Sequence, residues 1–129
     1  MNEPRWLSAT VVLAIHADQL KEHGGLPGLR DRGLLESALA RPANLLKCEP
    51  GADVCGLAAS YGFGIARNHP FVDGNKRIAF QAMYVFLGLN GLRIQSNEPE
   101  VVRMMLALAA GEIDEDGVAV WLREHSAER

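Results

Sequence analysis

Apolar residues recur at helical spacing along almost the whole chain, and the alternation of apolar and polar residues that is typical of strands is scarce. Helix start and stop signals divide this pattern into six segments. They cover residues 8–23, 31–42, 53–67, 75–89, 98–111 and a last helix that begins at 114–116. A short extended piece is expected at 92–95. The sequence therefore predicts an all-α fold with short connections.

The length of 129 residues fits one domain, residues 1–129, with its own hydrophobic core. Hydrophobic residues make up 48% and charged residues 22%, values typical of a globular protein, so extensive disorder is excluded. The net charge of −3 argues against a general nucleic-acid-binding surface, so any anion site must be local. The longest apolar stretch, 79–89, is too short to cross a membrane. Two cysteines are expected to be reduced thiols, as in a cytoplasmic protein.

Residues 67–77 concentrate polar and ionisable side chains between two apolar helices. Pro70 forces a break in the helix before it. Lys76 and Arg77 then fall in the first turn of the next helix, where the helix dipole favours negative side chains, and each cation costs roughly 0.3–1 kcal/mol there. An external anion would remove this cost. Free main-chain N–H groups with Lys76 and Arg77 therefore predict a phosphate site.

The same segment carries groups that could do chemistry on a phosphate. Histidine is the side chain best suited to act as a general base near neutral pH, which makes His69 a candidate base. Asp73 offers the single carboxylate that Mg²⁺ often takes beside phosphates. Gly74 allows close approach of a ligand, and Asn75 is a candidate helix cap or ligand contact. Taken singly, each residue has a plainer interpretation: a capping histidine, an Asp-Gly turn, a solvated Lys-Arg pair. Their combination in one segment favours a phosphate-handling site.

The segment 69–77 reads H-P-F-V-D-G-N-K-R and resembles the signature of the Fic/Doc superfamily, H-P-F-x-[D/E]-G-N-x-R. Residues 24–28, 31–38 and 111–113 are similar to stretches of the death-on-curing (Doc) toxins of that superfamily. The resemblance thus covers nearly the whole chain. It implies a compact all-α domain whose active loop lies between two central helices.

By this resemblance, His69 is the base that takes the proton from a hydroxyl of the target. Asp73 would hold Mg²⁺ with the phosphates of ATP. The remaining predicted phosphate contacts are Gly74, Asn75, Lys76, Arg77 and, just before the motif, Arg67.

Two positions depart from the Fic adenylyltransferases, which carry Gly where this chain has Lys76 and a second Arg where it has Phe80. A lysine side chain fills space that glycine leaves open for the nucleotide. The Doc toxins share the lysine, so the resemblance implies transfer of the γ-phosphate of ATP to a Ser or Thr of a translation factor, elongation factor Tu in the family. The alternatives are transfer of AMP and a catalytically idle helical binding module.

An inhibitory helix of the type [S/T]-x-x-x-E-[G/N] is absent from the sequence, because the nearest candidate, residues 96–100, is followed by Val101. The resemblance then implies inhibition by a partner, a Phd-type antitoxin whose C-terminal segment lies in an apolar groove. His16, His23 and His125 lack metal-ligand spacing and are expected to be structural or surface residues.

Overall fold

A computed structural model describes residues 3–129 and contains, within that range, six helices and one small sheet. The helices share one hydrophobic core. Their bounds are α1 Ala9–His23, α2 Arg32–Cys48, α3 Val54–Asn68, α4 Asn75–Leu89, α5 Glu98–Ala109 and α6 Glu115–Glu124. The strands are β1 Leu92–Ile94 and β2 Ser126–Glu128. The all-α prediction is confirmed, with this two-stranded sheet as an addition.

Side-chain caps fix where the helices begin. In α1, α2, α3, α5 and α6 the residue before the helix accepts a hydrogen bond from a main-chain N–H of the first turn, which satisfies a donor that the helix itself leaves free. These caps are Ser8, Asp31, Asp53, Asn97 and Asp114. Helix α4 is the exception, since its N-cap is Gly74 and no side chain accepts there.

Helix α3 lies at the centre of the fold, and its small residues let its neighbours approach closely. A methyl group placed on Gly62 would lie 2.3 Å from the sulfur of Met83 in α4. One placed on Gly64 would lie 3.3 Å from Cα of Ala38 in α2. This close packing brings α4 into contact with α3, so that the loop between them joins two packed helices.

The predicted end of the second helix near Pro42 is wrong, because α2 continues to Cys48. A proline inside a helix removes one hydrogen bond and costs about 3 kcal/mol. Here Pro42 is buried on the same face as Leu35 and Ala38, which packs against α3. Burial of this face offsets the local cost.

The extended piece expected at 92–95 is confirmed as β1, and its partner is the unpredicted β2. The two strands are antiparallel, with Leu92 opposite Glu128 and Ile94 opposite Ser126. Across residues 3–129, none of the helices combines the length and the apolar character needed to span a bilayer. Cys48 and Cys55 are both free thiols.

Candidate active site

The loop between α3 and α4 is anchored by Phe71. Its side chain is only 1% exposed, and its ring stacks on the imidazole of His16 in α1 with 3.8 Å between ring centres. Nε2 of His16 also lies 2.8 Å from the main-chain oxygen of Asp73, to which it donates. Phe71 therefore points into the core, and His16, a buried histidine that no motif includes, fixes both the middle and the end of the loop.

The glycine-rich segment 24–31 runs beside the active loop. Leu29 and Phe71 form an isolated antiparallel bridge, and the N–H of Val72 donates to the oxygen of Gly28 over 3.0 Å. A methyl group on Gly25 would come within 3.0 Å of the Asp73 carboxylate. The absence of a side chain at position 25 therefore keeps the carboxylate accessible.

The side chain of Asn75 closes the loop on itself. Its oxygen accepts from the N–H of Phe71 and its nitrogen donates to the oxygen of Phe71, both over 3.0 Å. Asn75 was predicted to contact phosphate. With these two bonds made, such a contact would have to come from its main-chain N–H or its second side-chain N–H.

An open pocket of about 500 Å³ lies over the loop and the start of α4. It brings together most of the residues that the sequence selected. Its lining includes His69, Asp73, Gly74, Asn75, Lys76 and Arg77, together with His23, Gly24, Gly25 and Val72.

Arg67, the remaining predicted phosphate contact, does not line this pocket. Its guanidinium lies over the ring of Phe63, 5.3 Å from the ring centre. The last turn of α3 thus directs Arg67 toward an aromatic neighbour on the same helix. Arg67 stays a predicted phosphate contact, although its side chain lies outside the lining of this pocket.

Asp73 is held in its ionised form. Its two oxygens accept from the N–H of Leu26 at 3.1 Å and from its neighbour Gly74 at 2.8 Å. These bonds, that of Leu26 first, lower the pKa of the Asp73 carboxyl, and the positive charge of Arg77 adds to the effect. Each oxygen keeps a lone pair, so Asp73 fits the role of a single protein ligand to Mg²⁺. In the described part of the chain, no three His, Cys, Asp or Glu side chains form a metal-binding cluster.

The start of α4 is left open to an anion. Its first turn holds no acidic residue, its cap Gly74 makes no side-chain hydrogen bond, and Lys76 and Arg77 are exposed. The main-chain N–H groups of this turn therefore face the pocket without a side-chain acceptor.

Sequence reasoning assigned His16 and His23 only structural or surface roles. For His16 this is confirmed, because it supports the loop from beneath. His23, at the end of α1, is an exposed surface residue as expected, and it also lines the pocket. The buried role of His16 could have been predicted, because it is an ionisable residue on the apolar side of α1. The position of His23 in the pocket depends on how α1 packs against α4, which the sequence pattern does not report.

Comparison with known proteins identifies the family of this chain. Residues 6–87 match the Fic/DOC family. The chain is 34% identical over 119 residues to the protein kinase doc of Escherichia phage P1, covering 92% of this chain and 94% of that protein. It is 35% identical over 107 residues to the toxin Doc of Mycolicibacterium smegmatis (strain ATCC 700084 / mc(2)155), covering 81% of this chain and 82% of that protein. The chain belongs to the Fic/Doc family.

Proposed function

We propose that this chain is a Doc-type toxin that transfers the γ-phosphate of ATP to a Ser or Thr hydroxyl of a protein target. The observation that carries the proposal is one pocket that holds a candidate base, His69, a candidate magnesium ligand, Asp73, and two cations at the uncapped start of α4. The relative from phage P1 is named a protein kinase.

In the proposed reaction, His69 accepts the proton of the target hydroxyl as the hydroxyl oxygen attacks the γ-phosphorus. The bond from that phosphorus to the oxygen bridging to the β-phosphate breaks, and ADP leaves. Lys76, Arg77 and the N–H groups of the first turn of α4 bind the phosphates. Mg²⁺, held by Asp73, would neutralise phosphate charge. Such reactions depend mainly on positioning and charge neutralisation, which is what these residues supply.

Lys76 favours transfer of phosphate over transfer of AMP. Its side chain is exposed and lines the pocket at the first turn of α4, where a glycine would let nucleotide phosphates lie against the main chain. The test uses ATP labelled with ³²P at either the γ or the α position, with purified elongation factor Tu as the acceptor. Label from γ-ATP alone supports the proposal, and label from α-ATP shows AMP transfer instead. A matched His69→Ala variant is the control and should transfer neither label.

The target is proposed to be a translation factor, so the site of action is the cytoplasm. If elongation factor Tu takes no label, a cell extract incubated with γ-labelled ATP identifies other acceptors by mass analysis of labelled peptides. Expression of the wild-type chain should arrest growth and translation. Expression of folded His69→Ala should not, and arrest by that variant would contradict an enzymatic role.

The proposed partner is a Phd-type antitoxin bound between α1, α4 and α5. A groove of about 380 Å³ there is lined by apolar side chains of α4 and α5, with Lys76 and Arg77 at one end. Val102 and Leu106 remain 48% and 53% exposed on its wall. An amphipathic segment with an acidic end would cover both the apolar wall and the two cations, and would thereby block ATP.

Leu106→Asp tests this groove. We expect it to abolish inhibition by a synthetic antitoxin C-terminal peptide, while thermal stabilisation by ATP with Mg²⁺ is unchanged. Val120→Asp places the same charge at a 50% exposed apolar residue of α6, outside the groove, and is the matched control. Equal inhibition of the two variants would contradict the groove assignment.

A further inference from the structure

His69 has an unusual main-chain conformation. With φ 48° and ψ 55° it is left-handed, and among the described residues it is the sole non-glycine with a positive φ. Such a conformation is unfavourable for a residue with a Cβ. Because Pro70 follows, the relaxed state of residue 69 is extended. The left-handed state therefore needs support from the surrounding structure.

Arg30 makes hydrogen bonds that can support this conformation. Its Nη2 donates to the main-chain oxygen of Asn68 over 2.9 Å, and its Nε donates to that of His69 over 2.7 Å. The N–H groups of Arg30 and Asp31 donate to the next oxygen, that of Pro70, over 2.7 and 3.0 Å. Three successive carbonyl groups around the base are thus bound by residues 30 and 31.

The positively charged guanidinium of Arg30 interacts with main-chain carbonyl groups of this set. Among the described residues, no carboxylate lies within ion-pairing distance of its guanidinium. The carbonyl groups form the C-terminal end of α3, where the helix dipole favours a cation. Hydrogen bonds from a charged donor are also stronger than neutral ones. Arg30 does not line the pocket.

We propose that Arg30 is a positioning residue, which holds His69 in the left-handed conformation that directs its imidazole into the pocket. This rests on the proposed function insofar as His69 is the base. Loss of the guanidinium would let His69 relax toward the extended state and turn its side chain away from the phosphate. The phosphate contacts at Lys76 and Arg77 would remain.

The test compares Arg30→Ala with Arg32→Ala, which alters a neighbouring exposed arginine that pairs with Glu36 on its own helix. We expect kcat for phosphate transfer to fall about tenfold in Arg30→Ala, equivalent to about 1.4 kcal/mol. KM for ATP should stay unchanged. Arg30→Lys, which can meet only one carbonyl, should recover part of kcat, and Arg32→Ala should match the wild type. General destabilisation would not separate kcat from KM in this way.

An NMR measurement on the full chain gives a second readout that needs no activity. The ¹³Cα and ¹³Cβ shifts of His69 report its main-chain conformation, and we expect them to move in Arg30→Ala but not in Arg32→Ala. Unchanged shifts would overturn the proposal even if the wild type proved inactive. A kcat of Arg30→Ala equal to that of Arg32→Ala would overturn it in an active enzyme. If Arg30→Ala does not fold, Arg30→Lys is used for both readouts.

Discussion

Reversing the charge of Lys76 should make the protein more stable and less able to bind phosphate. The first turn of α4 has no acid and no side-chain cap, so Lys76 lies at the positive end of a helix without compensation. Each unit of charge at such a position contributes about 0.3–1 kcal/mol. Lys76→Gln should therefore raise the free energy of unfolding by about half as much as Lys76→Glu, for which roughly 0.5–2 kcal/mol is expected. Helix propensities of the three residues are similar.

The assay combines urea unfolding with thermal melts. For a chain of this size, about 1 kcal/mol corresponds to roughly 3–5 °C in Tm. Wild type with ligand at about 100 times its Kd should gain about 2.7 kcal/mol. With inorganic phosphate, or with ATP and Mg²⁺, this ligand-induced shift should shrink in Lys76→Gln and vanish in Lys76→Glu.

Arg103→Glu makes the same charge reversal in the middle of α5 and is the control. Away from the helix ends, it should change stability by no more than about 0.5 kcal/mol. Two results would refute this reasoning: a Lys76→Glu variant that is less stable than the wild type, or one that keeps the full ligand-induced shift in Tm. Either would show that Lys76 is not an uncompensated cation that binds phosphate at the start of α4.

Three further predictions concern other parts of the molecule. Asp73→Asn should lose the Mg²⁺-dependent part of the thermal shift by ATP and keep the shift by phosphate alone, and loss of both would show that the loop is disrupted. Arg123 donates two hydrogen bonds to Asp53 and lowers the pKa of its carboxyl, so this pair stabilises the fold above about pH 4 and the stabilisation is lost as the pH falls through the lowered pKa. Asp53→Asn, which can still cap α3, should thus cost about 0.5–1 kcal/mol at pH 7 and progressively less as the pH falls below about 4, and a cost that does not change with pH would exclude the ion pair as its cause. Tyr61→Phe removes the acceptor of the buried Leu7 N–H and should cost about 1–3 kcal/mol in urea unfolding with an unchanged m value, whereas a cost below about 0.3 kcal/mol would show that water replaces the hydroxyl.

Helix ends were predictable where local chemistry sets them. Ser8 and Asp31 cap their helices in the way that their side chains predict, and Pro70 ends α3. Pro42 shows the limit of local reasoning, because the continuation of α2 depends on what its buried face packs against. The strand β2 was missed for the same reason, since its three residues form β structure only by pairing with residues 32 to 36 positions earlier.

The part of the candidate site that is contiguous in sequence could be predicted. Asp73 lies in the loop and Lys76 lies three residues later, in the first turn of α4, so their proximity follows from sequence spacing alone. His23 and Arg30 reach the same loop through the packing of α1 and of the glycine-rich segment, which no spacing reports. Arg67 is adjacent in sequence yet faces elsewhere, because a residue in the last turn of a helix points where the helix directs it.

Because the helices are buried to different extents, we expect them to differ in how readily they unfold locally. Ten of the 15 residues of α3 are buried but only three of the 12 of α5, which forms one wall of the groove. Amide protons of α3 should therefore exchange with solvent only through global unfolding, while those of α5 exchange through smaller local openings. A segment bound in the groove would slow exchange in α5 and leave α3 unchanged. The α5 wall of the groove can thus open locally while α3, beneath the loop that carries His69, stays closed.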